Sequence, residues 1–212
     1  MTDTGDTTDT KERILRTALA LFSRDGYEAV SVSDIAGALG MSKGALYKHY
    51  RNKRDLFDTM VRRMTELDGS AAALHGVPQH TLDANAAGYD TVDLCALRDF
   101  TLAQFRFWTE DAFACPFRRM LTLEQYRSEE MNRLYQSMLV SGPVRYTADI
   151  LRSLMARGLM KPGDADALAA AYYGPMLLLI SMADGGESPA RCFSRLEALI
   201  HDFIGRYAYA AD

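Results

Sequence analysis

Residues 31–50, SVSDIAGALGMSKGALYKHY, constrain this chain more than any other stretch, because they admit only two short helices joined by a tight turn. Ser31 stands three residues before Asp34, a spacing in which the hydroxyl caps the first orphan amides of a helix while the carboxylate reaches back. Val32, Ile35, Ala36 and Leu39 then recur at helical intervals, and Gly40 supplies the residue best suited to the left-handed conformation that ends a helix. Ser42 is the N-cap of a second helix through Lys43, Gly44, Ala45, Leu46, Tyr47, Lys48 and His49. The connection is three or four residues, as a helix-turn-helix requires.

Charge separates the faces of this unit. Lys43, Lys48, Arg51, Lys53 and Arg54 occur between Ser42 and Arg54 with no acidic residue among them. Such a surface attracts phosphates, and recognition helices read base edges with their N-terminal residues, which makes Lys43 the leading candidate for a groove contact. The free amides at Ser42 and Lys43 suit a phosphate oxygen. Gly44 and Ala45 leave room for a groove wall, Tyr47, Lys48 and His49 are further contacts, and Leu46 and Tyr50 are the expected core anchors. Lys53 is read as a phosphate contact against a solvated lysine, and Ser33 as either a phosphate contact or an exposed serine.

The run from Ser42 to Phe57, SKGALYKHYRNKRDLF, closely resembles the DNA-binding signature of TetR-family transcriptional regulators. Ile14, Leu15, Ala18, Leu19, Phe22, Gly26 and Tyr27 resemble that family's first helix and its glycine stop, so the resemblance covers about residues 10–65. Tyr50 departs from the pattern, standing where the family usually has Phe. The resemblance implies an all-α chain with an N-terminal three-helix helix-turn-helix domain and a larger C-terminal helical ligand-binding and dimerisation domain. It also implies a helix after the motif that carries an induction signal, a homodimer on double-stranded DNA, and a repressor controlled by a small-molecule effector.

At 212 residues the chain has room for a small head of about 50 residues, marginal alone, packed on a larger body. The expected division is a disordered acidic and polar tail over 1–10, the helix-turn-helix domain over 11–55 and the helical ligand-binding and dimerisation domain over 56–212. The net charge of −4 conceals an asymmetry: residues 11–63 hold eleven Lys or Arg against six Asp or Glu, a balance of +5 that leaves −9 for the remainder. The basic part is therefore local. Cys95, Cys115 and Cys192 are odd in number and lack CxxC spacing, which suits a reducing cytoplasm. No apolar run approaches the roughly 18 residues of a membrane span, and the N-terminus has no secretory character.

Leu56, Phe57, Met60, Val61, Met64 and Leu67 predict a helix over 53–68, followed by a long loop over 69–90 with a short helical piece at 71–75. Helices are then predicted over 91–110, from Cys115 to Tyr126, over 129–139, 144–156 and 164–184, and from Pro189 to the end of the apolar pattern at Ile204. Phe100, Gln104, Phe107, Trp108, Phe117, Met120, Tyr126, Tyr146 and Tyr173 form an aromatic and polar set that either lines a pocket for a small apolar or amphipathic effector or is plain core. Gln104, Glu124, Gln125 and Arg127 orient a ligand if they face inward. The two apolar C-terminal helices bury one face and offer a second to a partner, which the family would use as a four-helix dimer interface.

Enzyme chemistry has little support, since His49, His75, His80 and His201 form no metal spacing and no glycine-rich phosphate loop or GxSxG elbow occurs. Neither a cofactor nor a metal is expected. Glu124, Glu129 and Glu130 read as surface ion pairs with Arg127 and Arg133. The rival to a DNA-binding regulator is a dimeric helical ligand-binding or interaction protein without specific DNA binding.

Overall fold

A computed structural model describes residues 4–75, 77 and 91–209, which form ten α-helices and no strand. These are α1 (Thr4–Asp25), α2 (Val32–Ala38), α3 (Lys43–Tyr47), α4 (Lys53–Leu74), α5 (Leu94–Glu110), α6 (Ala114–Glu124), α7 (Glu129–Leu139), α8 (Ser141–Ala156), α9 (Ala165–Asp184) and α10 (Pro189–Tyr207). The fold is all-α, and it divides into two compact units.

The first unit comprises α1 to α3, α4 as far as Glu66, and residues 112–135. Its core is the apolar stripe of α1, with Ile14, Leu15, Ala18, Leu19 and Phe22 buried, joined by Ile35, Ala36, Leu46, Leu56, Phe57, Met60 and Met64. α6 packs on α1 and contributes Phe117, Met120 and Leu121 to this unit's buried residues. Arg63 of α4 forms charge-assisted hydrogen bonds to both carboxylate oxygens of Glu12 at 2.7 and 2.6 Å and lies 4.6 Å over the Phe113 ring.

The second unit comprises residues 67–111 and 136–212. α9 packs against α8, α10 and α5, burying Tyr172, Tyr173, Met176, Leu179 and Ile180. The Tyr172 and Tyr173 hydroxyls find partners in Thr101 at 3.1 Å and the Leu139 carbonyl at 3.0 Å, as buried phenols require. α9 also corrects the expectation that no segment nears spanning length: Ala165–Asp184 is long and apolar enough to cross a membrane by composition. Its three packing partners give that apolarity its use as the central helix of this unit.

Local chemistry explains most boundaries. The Ser31 capping box and the Ser42 cap are both formed, and Gly40 takes φ +65° after α2. Asp93 caps α5 by accepting from the Ala96 amide at 2.7 Å. Pro189 occupies the first turn of α10 behind Ser188, where its missing N–H costs nothing. Pro175 sits inside α9, which runs on around it.

Several boundaries differ from the sequence reading, among them the start of α5, at Leu94 and not at 91. α1 begins at Thr4, so the stretch expected to be a disordered tail over 1–10 is helical from its fourth residue. α4 continues through Gly69 to Leu74 instead of ending at Asp68, because one glycine costs only about 1 kcal/mol and three alanines with Ala72 buried follow it. Of the loop expected over 69–90, residues 76 and 78–90 lie outside the described residues. α8 begins at Ser141, ahead of Pro143.

Two glycines are required for different reasons. Gly26 ends α1 at φ +91°, and a Cβ built there would collide with Oε1 of Glu124. Gly142 has ordinary φ, but a Cβ would overlap the carbonyl of Ser137. Gly37 has nothing within 4 Å. Urea denaturation of single variants should therefore rank them: Gly26→Ala loses about 1–2 kcal/mol, Gly142→Ala at least about 2 kcal/mol, and Gly37→Ala gains up to about 1 kcal/mol of helix propensity. A second expectation concerns acid. The Arg63 guanidinium holds the Glu12 carboxyl below its ordinary value of 4.5, so the stability it contributes is present above that pH and is lost as pH falls through the lower folded value. A Glu12→Gln variant should be less stable than the parent at pH 7, and the difference should close as pH falls through that lowered value.

Candidate nucleic-acid interface

α2 and α3 pack against each other, and each is too short to persist alone. Val32, Ile35 and Ala36 anchor α2, and Leu46, fully buried, anchors α3. The Asp34 carboxylate accepts from the Ser31 amide at 2.7 Å and from its hydroxyl at 2.6 Å, bonds that hold its pKa low. Ser42 Oγ accepts from the Ala45 amide at 3.1 Å. Tyr50 is buried and donates to the Lys11 carbonyl at 3.2 Å, so the hydroxyl that departs from the family pattern is satisfied, and burial pushes its pKa up to about 12. Lys11 Nζ lies 5.2 Å over the Tyr50 ring.

With these anchors inward, Ser33, Ser42, Lys43, Gly44, Tyr47 and Lys48 are exposed, while Ala45 and His49 are half-buried. Tyr47 shows 43% of its surface to solvent, an unusual position for an aromatic ring that a neighbour could have covered. Gly44 is equally informative: a Cβ there would meet nothing nearer than Ser42 Oγ at 3.9 Å. The chain's own packing does not demand a glycine at that point.

The basic set divides sharply once partners are assigned. Arg51 pairs with Asp55 at 3.3 Å, and Arg54 grips Glu130 with two hydrogen bonds of 2.7 Å while also meeting Asp58 at 2.7 Å. Lys53, read from sequence as a phosphate contact, is half-buried: Nζ donates to the Glu28 carbonyl at 3.3 Å and lies 4.2 Å over the Tyr27 ring, and burial lowers its pKa. Lys43 and Lys48 have no side-chain partner among the described residues. Within this set, the positive charge available to an external anion is thus concentrated on α3 and its C-cap.

The nine residues proposed to line an effector pocket fall in different compact units. Phe117 and Met120 belong to the core of the first unit, because the apolar face of α6 is covered by α1. Tyr126 is 90% exposed, lying beyond the end of α6 where no helix covers it. The other six lie in the second unit. There Phe100 meets the rings of His75 and Tyr146 edge-on, each at 6.1 Å, Phe107 lies against Trp108 at 5.1 Å, and Gln104 Nε2 donates to Asp68 Oδ1 at 3.1 Å. Tyr173 is committed to the Leu139 carbonyl. Of the carboxylates read as surface ion pairs, Glu129 and Glu130 are so, with Arg133 and Arg54, but Glu124 is completely buried, with Arg127 at 3.4 Å. Among the described residues no group of His, Cys, Asp and Glu is arranged to hold a metal ion.

Comparison with known proteins agrees with this geometry. The family model described as bacterial regulatory proteins, tetR family, matches residues 14–60. An uncharacterised HTH-type transcriptional regulator, YerO of Bacillus subtilis, is 29% identical over 71% of this chain and 53% of its own length. The HTH-type transcriptional regulator AcrR of Shigella flexneri is 45% identical over 23% of each chain. The chain thus spans about half the length of the first of these relatives and a smaller part of the second. The solved complex of SmeT with triclosan shares the fold, with a TM-score of 0.66 at 19% identity, over 96% of this chain and 93% of that one. A capped helix pair within the matched residues, together with these likenesses, gives the assignment: residues 14–60 match the tetR family of bacterial regulatory proteins, and the whole chain shares its fold with solved structures described as tetR-family regulators.

Proposed function

We propose that this chain is a transcriptional repressor that binds a palindromic operator as a homodimer and leaves it when a small apolar or amphipathic molecule occupies its C-terminal helices. The observation that carries the reading is the exposed face of α3, on which Lys43, Tyr47 and Lys48 lie free of internal work around a glycine that packing does not require. Lys43 enters the groove, Lys48, Ser42 and Ser33 hold phosphates, and Tyr47 and His49 contact the backbone or a base edge. Gly44 and Ala45 allow the helix to approach closely. Lys53 supports this surface by bracing the start of α4 on the turn after α1, with any phosphate contact made by its remaining donors.

The dimer is assigned to α9 and α10. Ala167, Ala170, Ala171, Gly174, Leu178 and Ser181 are all exposed and follow one another at helical spacing along α9, a stripe without a charge. Leu178 is 62% exposed and Leu199 of α10 is 47% exposed. An uncharged face of small residues and leucines is suited to a second copy of itself. The triclosan complex of SmeT supports a small-molecule input. That input acts by displacing α4, whose first residues belong to the head and whose last turns belong to the second unit, and a differential affinity of about 1–3 kcal/mol between the two states suffices to shift occupancy. The chain is a regulator and not an enzyme, and its place of action is the cytoplasm, where the DNA is.

A salt titration on an operator duplex and a shuffled copy tests the reading. Operator affinity should exceed that for the shuffled duplex by at least about a thousandfold and fall by at least about tenfold between about 50 and about 200 mM salt. Combined Lys43→Ala and Tyr47→Ala substitution should weaken operator binding by at least about tenfold and leave thermal stability unchanged. Unchanged binding in that variant would overturn the assignment of α3.

A further inference from the structure

We propose that the molecule admitted by the C-terminal helices is a protonated amine with an apolar tail, held by the amide oxygen of Gln104 and the carboxylate of Asp68 within the rings of Phe100, His75 and Tyr146. This deepens the ligand-responsive reading above and rests on it. Gln104 is 8% exposed, and its two polar ends are treated differently. Nε2 donates to Asp68 Oδ1 at 3.1 Å, which fixes the amide's orientation and turns Oε1 away from that carboxylate. Oε1 is buried and accepts no hydrogen bond. Buried polar groups in folded proteins are almost always paired, and one left without a donor marks a place where a partner is to be supplied.

The surroundings specify that partner. It must donate, because the open group is a carbonyl oxygen, and a ligand that offers only apolar surface would leave the oxygen as it is. It is favoured if cationic, because the amide is already tied to a carboxylate and the second unit, residues 67–111 and 136–212, carries a net −6. Aromatic rings stand on the same ground: Phe100 lies one turn before Gln104 on α5 and touches His75 and Tyr146, each at 6.1 Å. Phe107 and Trp108 follow one turn after it, 5.1 Å apart. Rings of this kind receive a cation by their faces and an alkyl or aryl tail by dispersion. An anion meets an acceptor and a carboxylate with nothing to pair it, and is excluded.

The inference is tested by calorimetry of the whole chain, in the absence of DNA, with four ligands of one shape: 4-phenylbutylamine, 4-phenylbutan-1-ol, the trimethylammonium analogue and 4-phenylbutyrate. The amine should bind at least about tenfold more tightly than the alcohol, the quaternary cation should fall between them for want of an N–H, and the carboxylate should not bind. Asp68→Asn, which keeps an acceptor for Gln104 Nε2, should remove the amine's advantage while leaving the alcohol unchanged, and Gln104→Met should weaken both donors. Equal affinity for amine and alcohol in the parent chain would overturn the proposal, as would no binding of either, and these outcomes need no variant to fold. Operator release is read separately on the same four ligands. Amine binding without release leaves the site standing and removes the induction reading; release by an alcohol or carboxylate in preference to the amine does the opposite.

Discussion

A five-residue helix cannot hold its own shape in water, and the whole head depends on the way α3 is held from both ends. Ser42 closes its first turn, fully buried Leu46 fastens its middle, and Tyr50 locks the exit by burying a ring whose hydroxyl reaches the Lys11 carbonyl. These three fastenings lie on one side. The other side is consequently free to carry Lys43, Tyr47 and Lys48, none of which the fold needs. Stability and the proposed recognition are divided between opposite faces of one short element, which is why a surface so small can be rigid.

The same division of labour extends through the ion pairs. Arg51 and Arg54 look like part of a continuous basic patch in the sequence, yet Asp55, Asp58 and Glu130 neutralise them. The pairing of Arg54 with Glu130 is also structural, since it ties the start of α4 to α7 within the first compact unit. Glu124 makes a comparable tie at the far end of α6, where its carboxylate lies against Gly26 and only a residue without a side chain fits. Exposed pairs such as Arg54 with Glu130 contribute little individually, and their effect is to fix geometry more than to add stability, whereas Glu124 is completely buried.

What could be read in advance follows from how far apart the interacting residues are. Caps at Ser31 and Ser42, the glycine stop at Gly40 and the buried positions of α1 and α2 are local or periodic, and the helix-turn-helix was legible from them. The fate of α6 was not: Phe117, Met120 and Tyr126 lie on one short stretch, and whether each is core, pocket or solvent is decided by α1, about a hundred residues away in sequence. Likewise Gln104 was recognisable as a polar residue on an apolar helix, but its pairing with Asp68 required α4 to continue past Gly69, which the glycine itself argued against. The internal partners of Lys53 were equally out of reach, because Glu28 and Tyr27 come from the turn after α1, about 25 residues away.

The central claim is that two identical heads, each reading DNA with the free face of α3, act together on one site. Sequencing the duplexes that the purified chain enriches from a random pool tests this most directly. The account predicts an inverted repeat whose half-sites are centred about 10 base pairs, or a multiple of one turn, apart. A pool with no enriched sequence, or one enriched in a single half-site without a symmetric mate, would contradict it.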